Sequence, residues 1–137
     1  MRATVRKLRT IVVDEKEQDR KAFVRLLSTF DQVEVIAQMD ALESARTFID
    51  RGDVDAIFLD GQVQHVSGFD FAARLNSFPR VVFVTRAENH ATRAFDVRAA
   101  DYLLKPVQAG RLALTMCRLT VGPRGRTGTD GNWVMTQ

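Results

Sequence analysis

The chain has 137 residues, of which 45% are hydrophobic and 27% are charged, and its formal net charge at pH 7 is +3. These values predict one globular domain with its own core, and they argue against the basic block of a nucleic-acid-binding groove. No apolar run reaches the length of a membrane span and no signal peptide opens the chain, so a cytoplasmic protein is expected. Cys117, the only cysteine, is predicted to be a buried, inert thiol in a reducing compartment.

Five short apolar runs, rich in branched and aromatic residues, are typical of buried strands. They cover residues 8–13, 33–37, 56–59, 81–84 and 102–104. Glu34 interrupts the second run, which predicts that this strand lies near an edge of the sheet.

Between these runs, apolar residues recur at the spacing of amphipathic helices. The helical positions are, in chain order, Phe23, Leu26, Leu27 and Phe30; Leu42, Ala45, Phe48 and Ile49; Phe69, Ala72, Ala73 and Asn76; Ala91, Ala94 and Phe95; and Leu112, Met116 and Leu119. Asp40 is predicted to cap the second helix and Gly52 to end it. Pro106 is predicted to lie in the first turn of the fifth helix.

The alternation of five strands with five helices predicts an α/β protein with a parallel sheet and helices on both faces. Right-handed crossovers make the sheet doubly wound, and the expected fold is a flavodoxin-like (βα)5 three-layer sandwich with strand order 2-1-3-4-5. One domain is expected over residues 1–121. Residues 122–137 are expected to be a linker or a disordered tail.

Polar residues follow four of the five predicted strands. Asp14 and Glu15 follow the first strand, Asp60 the third, Thr85 the fourth and Lys105 the fifth. Because ligands of such sheets bind beyond the carboxyl ends of the strands, these side chains are expected to converge. Three carboxylates in one small space need a cation, and Mg²⁺ accepts both carboxylate and phosphoryl oxygens.

The same residues supply the groups needed for phosphoryl transfer to a carboxylate. The central Asp60 can attack phosphorus to give an acyl phosphate. The metal, the Lys105 ammonium and the Thr85 hydroxyl can each meet one peripheral phosphoryl oxygen. Taken singly, each carboxylate and Thr85 would be explained as a helix cap, and Lys105 as a solvated surface lysine. Their combination at successive strand ends favours the functional interpretation.

Four stretches match the blocks of one family in order and spacing: IVVDE, AIFLD, VVFVT and DYLLKP. Over roughly residues 7–121 the chain resembles the receiver domain of bacterial two-component response regulators. A longer stretch, RAFDVRAADYLLKPV, resembles receivers of LytTR-type regulators, which carry a separate DNA-binding domain. The resemblance implies that Asp60 is the phosphoacceptor and that Mg²⁺ is held by Asp14, Glu15, Asp60 and the backbone carbonyl of Gln62. Whether an output domain accompanies the receiver stays open.

The resemblance also implies a switch and its partners. Thr85 and Tyr102 match the pair in which the aromatic ring turns inward when the Thr hydroxyl engages the phosphoryl group. Lys105 matches the phosphate-pairing lysine, and its bond to Pro106 is expected to be cis. The implied donor is a histidine kinase or a histidine phosphotransfer protein. A homodimer is implied through the face of the fourth helix, fifth strand and fifth helix. The charged residues expected on that face are Arg93, Asp96, Arg98, Asp101 and Arg111. The domain is expected to bind neither nucleic acid nor membranes, and to be a switch rather than an enzyme.

Three residues depart from the family's pattern. Glu15 stands where a second Asp is usual, Gln64 where Pro is usual, and Arg86 where a small residue follows the switch Thr. Arg86 could obstruct a phosphodonor or pair with phosphate. Two alternatives therefore stay open: a degenerate receiver that binds partners without being phosphorylated, and a metal-dependent phosphohydrolase with Asp60 as nucleophile. The hydrolase has little support, because Gln62 stands where a second acid would be needed.

Overall fold

The computed structural model describes residues 6–75, 78–86 and 91–121. The strands are β1 (Leu8–Val13), β2 (Val33–Met39), β3 (Ala56–Leu59), β4 (Gln62–Val63), β5 (Val66–Ser67), β6 (Arg80–Thr85) and β7 (Asp101–Leu104). The helices are α1 (Glu17–Leu27), α2 (Leu42–Asp50), α3 (Gly68–Ala73), α4 (Ala91–Asp96) and α5 (Ala109–Val121). The predicted tail at 122–137 lies outside the described residues, as does Asn76 of the third predicted helix.

Five strands form one parallel sheet in the order β2-β1-β3-β6-β7, which confirms the predicted flavodoxin-like order. All of β3, at the centre, is buried, and so are the last four residues of β1. β2 lies at an edge and its Glu34 is exposed, as the interrupted apolar run predicted. Continuous apolar runs thus occur where both faces of a strand are covered.

Helices cover both faces of this sheet. On one face, the rings of Phe69 and Phe83 stack with centroids 4.3 Å apart and pack with residues of α2, α3 and α4. On the other face, Phe23 and Phe58 lie with ring centroids 5.2 Å apart and pack with residues of α1 and α5. Leu112 is fully buried on that second face, together with the other two residues of the apolar stripe predicted for α5.

Two cap predictions are wrong, and one small element was not predicted. Ala41 occupies the N-cap of α2 without a capping side chain, and Asp40 lies one residue earlier. α5 begins at Ala109, so Pro106 lies in the loop before this helix and not in its first turn. The same loop carries Lys105. The Lys105–Pro106 bond is cis, as expected. The short strands β4 and β5 form an antiparallel hairpin between β3 and α3.

Other surface features correct or confirm the helix predictions. Gly52 follows α2 with φ of +80°, and its N–H donates to the Ile49 carbonyl, as a helix stop should. Cys117 is exposed rather than buried, because it is turned by about 100° from its neighbour Met116 in the buried stripe. Phe95, which was among the apolar positions predicted for the fourth helix, is 65% exposed and so does not belong to the buried face of α4. Among the described residues, no helix is both long and apolar enough to cross a membrane.

Candidate functional site

The site lies at the carboxyl ends of the parallel strands, where backbone hydrogen bonds extend the strand ladder. The Asp60 N–H donates to the Val13 carbonyl at 3.1 Å, and the Lys105 N–H donates to the Thr85 carbonyl at 2.9 Å. The Asp14 N–H is held in the same way by the end of β2. These bonds place the backbones of the predicted site residues side by side at one rim of the sheet.

Lys105 is at the centre of the site. Its ammonium nitrogen lies 2.7 Å from an Asp14 oxygen and 3.0 Å from an Asp60 oxygen. It also lies 3.0 Å from an oxygen of Asp19, a residue in the first turn of α1 that the sequence patterns did not single out. The Lys105 side chain is only 8% exposed, so water screens these contacts little. One ammonium group therefore faces three carboxylates, which leaves an excess of negative charge.

Burial and ion pairing both act on the pKa values of these groups. Burial raises the pKa of the Asp14 carboxyl, and hydrogen bonds from Lys105 and a backbone N–H offset this only in part. Burial alone would lower the pKa of Lys105, but hydrogen bonds to Asp14, Asp60 and Asp19 raise it overall. At Asp19 burial would raise the pKa, whereas Lys105 and Arg86 lower it overall. Lys105 is therefore firmly cationic, and Asp14 is a buried carboxylate that its partners satisfy incompletely.

Of the predicted metal ligands, Asp14 and Asp60 come together, whereas Glu15 takes another partner. The Glu15 carboxylate accepts a hydrogen bond from the Gln64 N–H, in the turn between β4 and β5. In the part of the chain that the structure describes, no three carboxylate, imidazole or thiol side chains are grouped to hold a metal ion. The donor chemistry still fits a hydrated Mg²⁺, which takes hard oxygen atoms and needs only one or two carboxylates. Gln62, the fourth predicted ligand, lies on β4, just beyond Asp60.

Thr85 and Tyr102, the predicted switch pair, lie on the same face of the sheet. Thr85 ends β6 and is 4% exposed. Phe83 is paired with Tyr102 in the β6–β7 register, and because side chains alternate along a strand, Phe83 and Thr85 project to one face. Tyr102 is half-buried and packs against the core on that face. The two residues of the predicted switch pair are therefore diagonal neighbours on this face.

Gly68 lies against the backbone of Asp60. It is the first residue of α3, and its N–H donates to the Gly61 carbonyl at 2.8 Å. A Cβ atom on Gly68 would lie 2.3 Å from the Asp60 carbonyl oxygen, so a larger residue does not fit unless the backbone moves. The sequence pattern does not single out Gly68 or Asp19, because both lie on helices, whereas a parallel sheet predicts convergence only for residues at its strand ends.

Arg86, one of the departures from the family's pattern, is tied to Asp19. Its guanidinium lies 2.9 Å from an Asp19 oxygen, and its side chain is 61% exposed. Both residues line a cavity of about 150 Å³ between α1 and the segments that follow β6 and β7. Apolar side chains, among them Phe23, Leu26 and Val84, form much of the rest of the lining.

Charged residues expected on the dimer face are largely paired within the chain. Asp101, for which the sequence suggested no separate role, is 3% exposed. Its carboxylate accepts hydrogen bonds from Arg111 and Arg118, each with a shortest distance of 2.7 Å, and from the Thr115 hydroxyl at 2.7 Å. Arg93 of α4 contacts a carboxylate of α3 at 3.4 Å. Asp101 and Arg111 therefore bind each other within the chain, and the homodimer through this face stays a prediction.

Comparisons with known proteins place these features in a family. The family model for the response regulator receiver domain matches residues 10–116. An uncharacterized response regulatory protein of Yersinia pestis is 38% identical over 115 residues, covering 82% of this chain and 48% of that protein. The sensory transduction protein LytT of Bacillus anthracis is 33% identical over 112 residues, covering 80% and 46%. The chain thus spans about half the length of the curated relatives it matches.

Solved structures show the same architecture. The response regulatory domain of MrkE from Klebsiella pneumoniae matches with a TM-score of 0.74 and 30% identity, covering 83% of this chain and 96% of that one. The signal receiver domain of NarL from Mycobacterium tuberculosis matches with a TM-score of 0.71 and 26% identity, covering 83% and 98%. With a family match over most of its length and the fold of these receivers, the chain belongs to the response regulator receiver domains of two-component systems.

Proposed function

We propose that the chain accepts a phosphoryl group on Asp60 and works as a phosphorylation-dependent switch. The observation that carries this proposal is the 3.0 Å contact of the buried Lys105 ammonium with Asp60, beside the buried Asp14 and Thr85. A lysine in this position can pair with a phosphoryl oxygen carried by the same carboxylate. Receiver domains are signalling switches rather than classical enzymes, and they interact with histidine kinases and phosphotransfer proteins.

The transfer makes one bond and breaks another. An Asp60 carboxylate oxygen bonds to phosphorus while the phosphorus–nitrogen bond of a donor phosphohistidine breaks. The electron pair stays with the imidazole nitrogen, which takes up a proton from water. Lys105 stabilises the charge on one peripheral phosphoryl oxygen, and the Thr85 hydroxyl donates a hydrogen bond to another.

Asp14 and Asp60 are the carboxylates that would hold a hydrated Mg²⁺, with Glu15 and the Gln62 carbonyl as further proposed ligands. When bound, the ion neutralises charge on the phosphoryl oxygens. The excess of carboxylates supports this assignment, because Lys105 and Arg86 together balance only two of the three negative charges of Asp14, Asp19 and Asp60.

The switch is proposed to act at the β7 edge of the sheet, where α4 and α5 pack on β7. Phe95 of α4, Leu104 of β7 and Leu114 of α5 are 65%, 42% and 54% exposed. Each of these elements therefore presents a large apolar side chain to solvent, and we propose that a partner covers them. A homodimer or another protein partner would bind this face through apolar contacts.

A role in transcription is supported by relatives and not by the site itself. NatR of Bacillus subtilis, named a transcriptional regulatory protein, is 31% identical over 110 residues, which cover 47% of its length. By analogy, the receiver would pass its switch to a separate DNA-binding domain or partner and would not itself contact DNA.

Intact-mass spectrometry after incubation with acetyl phosphate and Mg²⁺ tests the acceptor role. The wild-type chain is expected to gain one phosphoryl group, and the gain should disappear in Asp60→Asn and when EDTA removes the metal. Asp96→Asn, an exposed carboxylate of α4, is the matched control and should be phosphorylated like the wild type.

The opposite outcome favours a different function. If neither acetyl phosphate nor beryllofluoride modifies the wild-type site, the acceptor role is refuted. A degenerate receiver that binds partners without phosphorylation would then be the better description, and the Arg86–Asp19 pair beside Lys105 is the observation in its favour. Turnover of a phosphomonoester that depends on Asp60 would instead favour the hydrolase.

A further inference from the structure

Asp19 and Arg86 form a series of charges that leads from solvent to the acceptor. One oxygen of Asp19 lies 3.0 Å from the Lys105 ammonium, and the other lies 2.9 Å from the Arg86 guanidinium. The Asp19 side chain is 19% exposed and that of Arg86 is 61% exposed. Lys105 in turn lies 3.0 Å from Asp60. An exposed guanidinium is thus linked to the acceptor through Asp19 and Lys105.

Once Asp60 carries a phosphoryl group, the Lys105 ammonium faces more hydrogen-bond acceptors than it has hydrogens to donate. An ammonium group has three hydrogens to donate, and here Asp14, Asp19 and Asp60 each accept one. The Asp19 carboxylate therefore competes with a phosphoryl oxygen for Lys105. Arg86 neutralises Asp19 from the solvent side, and this weakens the competition.

We propose that Asp19 and Arg86 are a positioning pair that sets how readily Lys105 engages a phosphoryl group. Asp19 binds the Lys105 ammonium and so keeps it from a phosphoryl oxygen, and Arg86 weakens this binding by neutralising the Asp19 carboxylate. The inference rests on the proposed acceptor role of Asp60, and it gives Arg86 a role through its charge. If Arg86 acted through its bulk, it would shield the acceptor, and removing it would speed phosphorylation rather than slow it.

Variants that separate charge from bulk test this inference. Arg86→Met keeps the length of the side chain without its charge, and we expect it to lower the initial rate of phosphorylation by acetyl phosphate about threefold, the effect of a partly exposed ion pair. Arg86→Lys should retain the wild-type rate. Asp19→Asn should raise the rate about threefold, and adding Arg86→Met to it should change nothing further. Lys21→Met, which breaks an exposed pair with Glu17 on the same helix, is the matched control.

The NMR signal of the Lys105 ammonium group, assigned with Lys105→Arg, reports the effect of Asp19 and Arg86 on this lysine without metal or phosphodonor. It is expected to shift in Asp19→Asn and in Arg86→Met, and Arg86→Met should have no effect once Asp19 is Asn. An unchanged signal in both single variants would overturn the inference, and so would a phosphorylation rate of Arg86→Met that equals or exceeds the wild-type rate, because this variant keeps the bulk and loses only the charge. If the wild type takes up no phosphate, the acceptor role fails, and the lysine signal alone decides whether the pair acts on Lys105.

Discussion

Replacing Asp101 with Asn is expected to remove a large part of the stability that joins β7 to α5. The Asp101 side chain is 2% exposed and accepts hydrogen bonds of 2.7 to 3.1 Å from Arg111, Arg118, Thr115 and the Tyr102 N–H. An Asn side chain keeps one acceptor oxygen but turns an NH2 group toward guanidinium groups. Breaking a buried ion pair costs about 3–5 kcal/mol, but these guanidinium side chains are 39% and 33% exposed and regain water. We therefore expect the free energy of unfolding to fall by about 2–3 kcal/mol.

The same contacts make the contribution of Asp101 depend on pH. Burial would raise the pKa of this carboxyl, but hydrogen bonds from Arg111, Thr115 and the Tyr102 N–H lower it overall. A carboxyl whose pKa is lower in the folded than in the unfolded state stabilises the fold above its unfolded pKa of about 3.9. That stabilisation is lost as the pH falls through the folded pKa. The difference in stability between the wild type and Asp101→Asn should thus be complete at pH 7 and shrink below about pH 4.

Urea unfolding followed by far-UV circular dichroism measures this difference across the pH range. Asp96→Asn, an exposed carboxylate of α4, serves as the control and should change the free energy of unfolding by less than about 0.5 kcal/mol. The reasoning would be refuted by an equally small loss in Asp101→Asn at pH 7, or by a loss that is the same at pH 7 and below pH 4.

Three further substitutions probe the site and the core. Gly68→Ala should lower the free energy of unfolding by about 1–3 kcal/mol and slow phosphorylation, because its Cβ would meet the Asp60 carbonyl. Gly110→Ala is the control in urea unfolding. Its Cβ would have no atom within 4 Å, so this variant should be neutral or stabilising. Lys105→Met should lower the melting temperature, because three carboxylates lose the cation they share. Added Mg²⁺ should then raise the melting temperature of this variant more than that of the wild type. Leu112→Ala, at a fully buried position, should cost about 2–5 kcal/mol in the same unfolding assay, without changing phosphoryl uptake by the fraction that remains folded.

The fold was predictable because its signals are local and repeated. A strand buried on both faces has to be a short continuous apolar run, and Glu34 could break the pattern because β2 lies at an edge. Alternation with helices then left few parallel arrangements. The hairpin of β4 and β5 could not be found in this way, since each strand has two residues and no periodicity can show in so short a segment. The start of α5 differs from the prediction because proline is common both in the first turn of a helix and in loops, and Pro106 belongs to the loop that carries Lys105.

Residues at strand ends were easier to find than residues on helices. Asp14, Asp60 and Lys105 could be expected to meet, because a parallel sheet brings the ends of its strands to one rim. The contribution of Asp19 depends on the direction in which a side chain of α1 points, which depends on how that helix packs. Asp101 did carry a signal in the sequence, since it is an acid in an apolar strand, and burying an acid requires a cation to pair with it.

β7 connects the Asp60 site to the edge of the sheet at which we propose that a partner binds. Lys105 directly follows Leu104, so the residue that contacts Asp60 is bonded to a residue that is 42% exposed on that edge. The opposite end of the strand is held by Asp101, which binds two arginines of α5. When Lys105 shifts toward a phosphoryl group, β7 and α5 are therefore expected to respond together. It follows that Asp101→Asn should weaken the effect of phosphorylation on partner binding at this edge, while phosphoryl uptake by Asp60 itself continues.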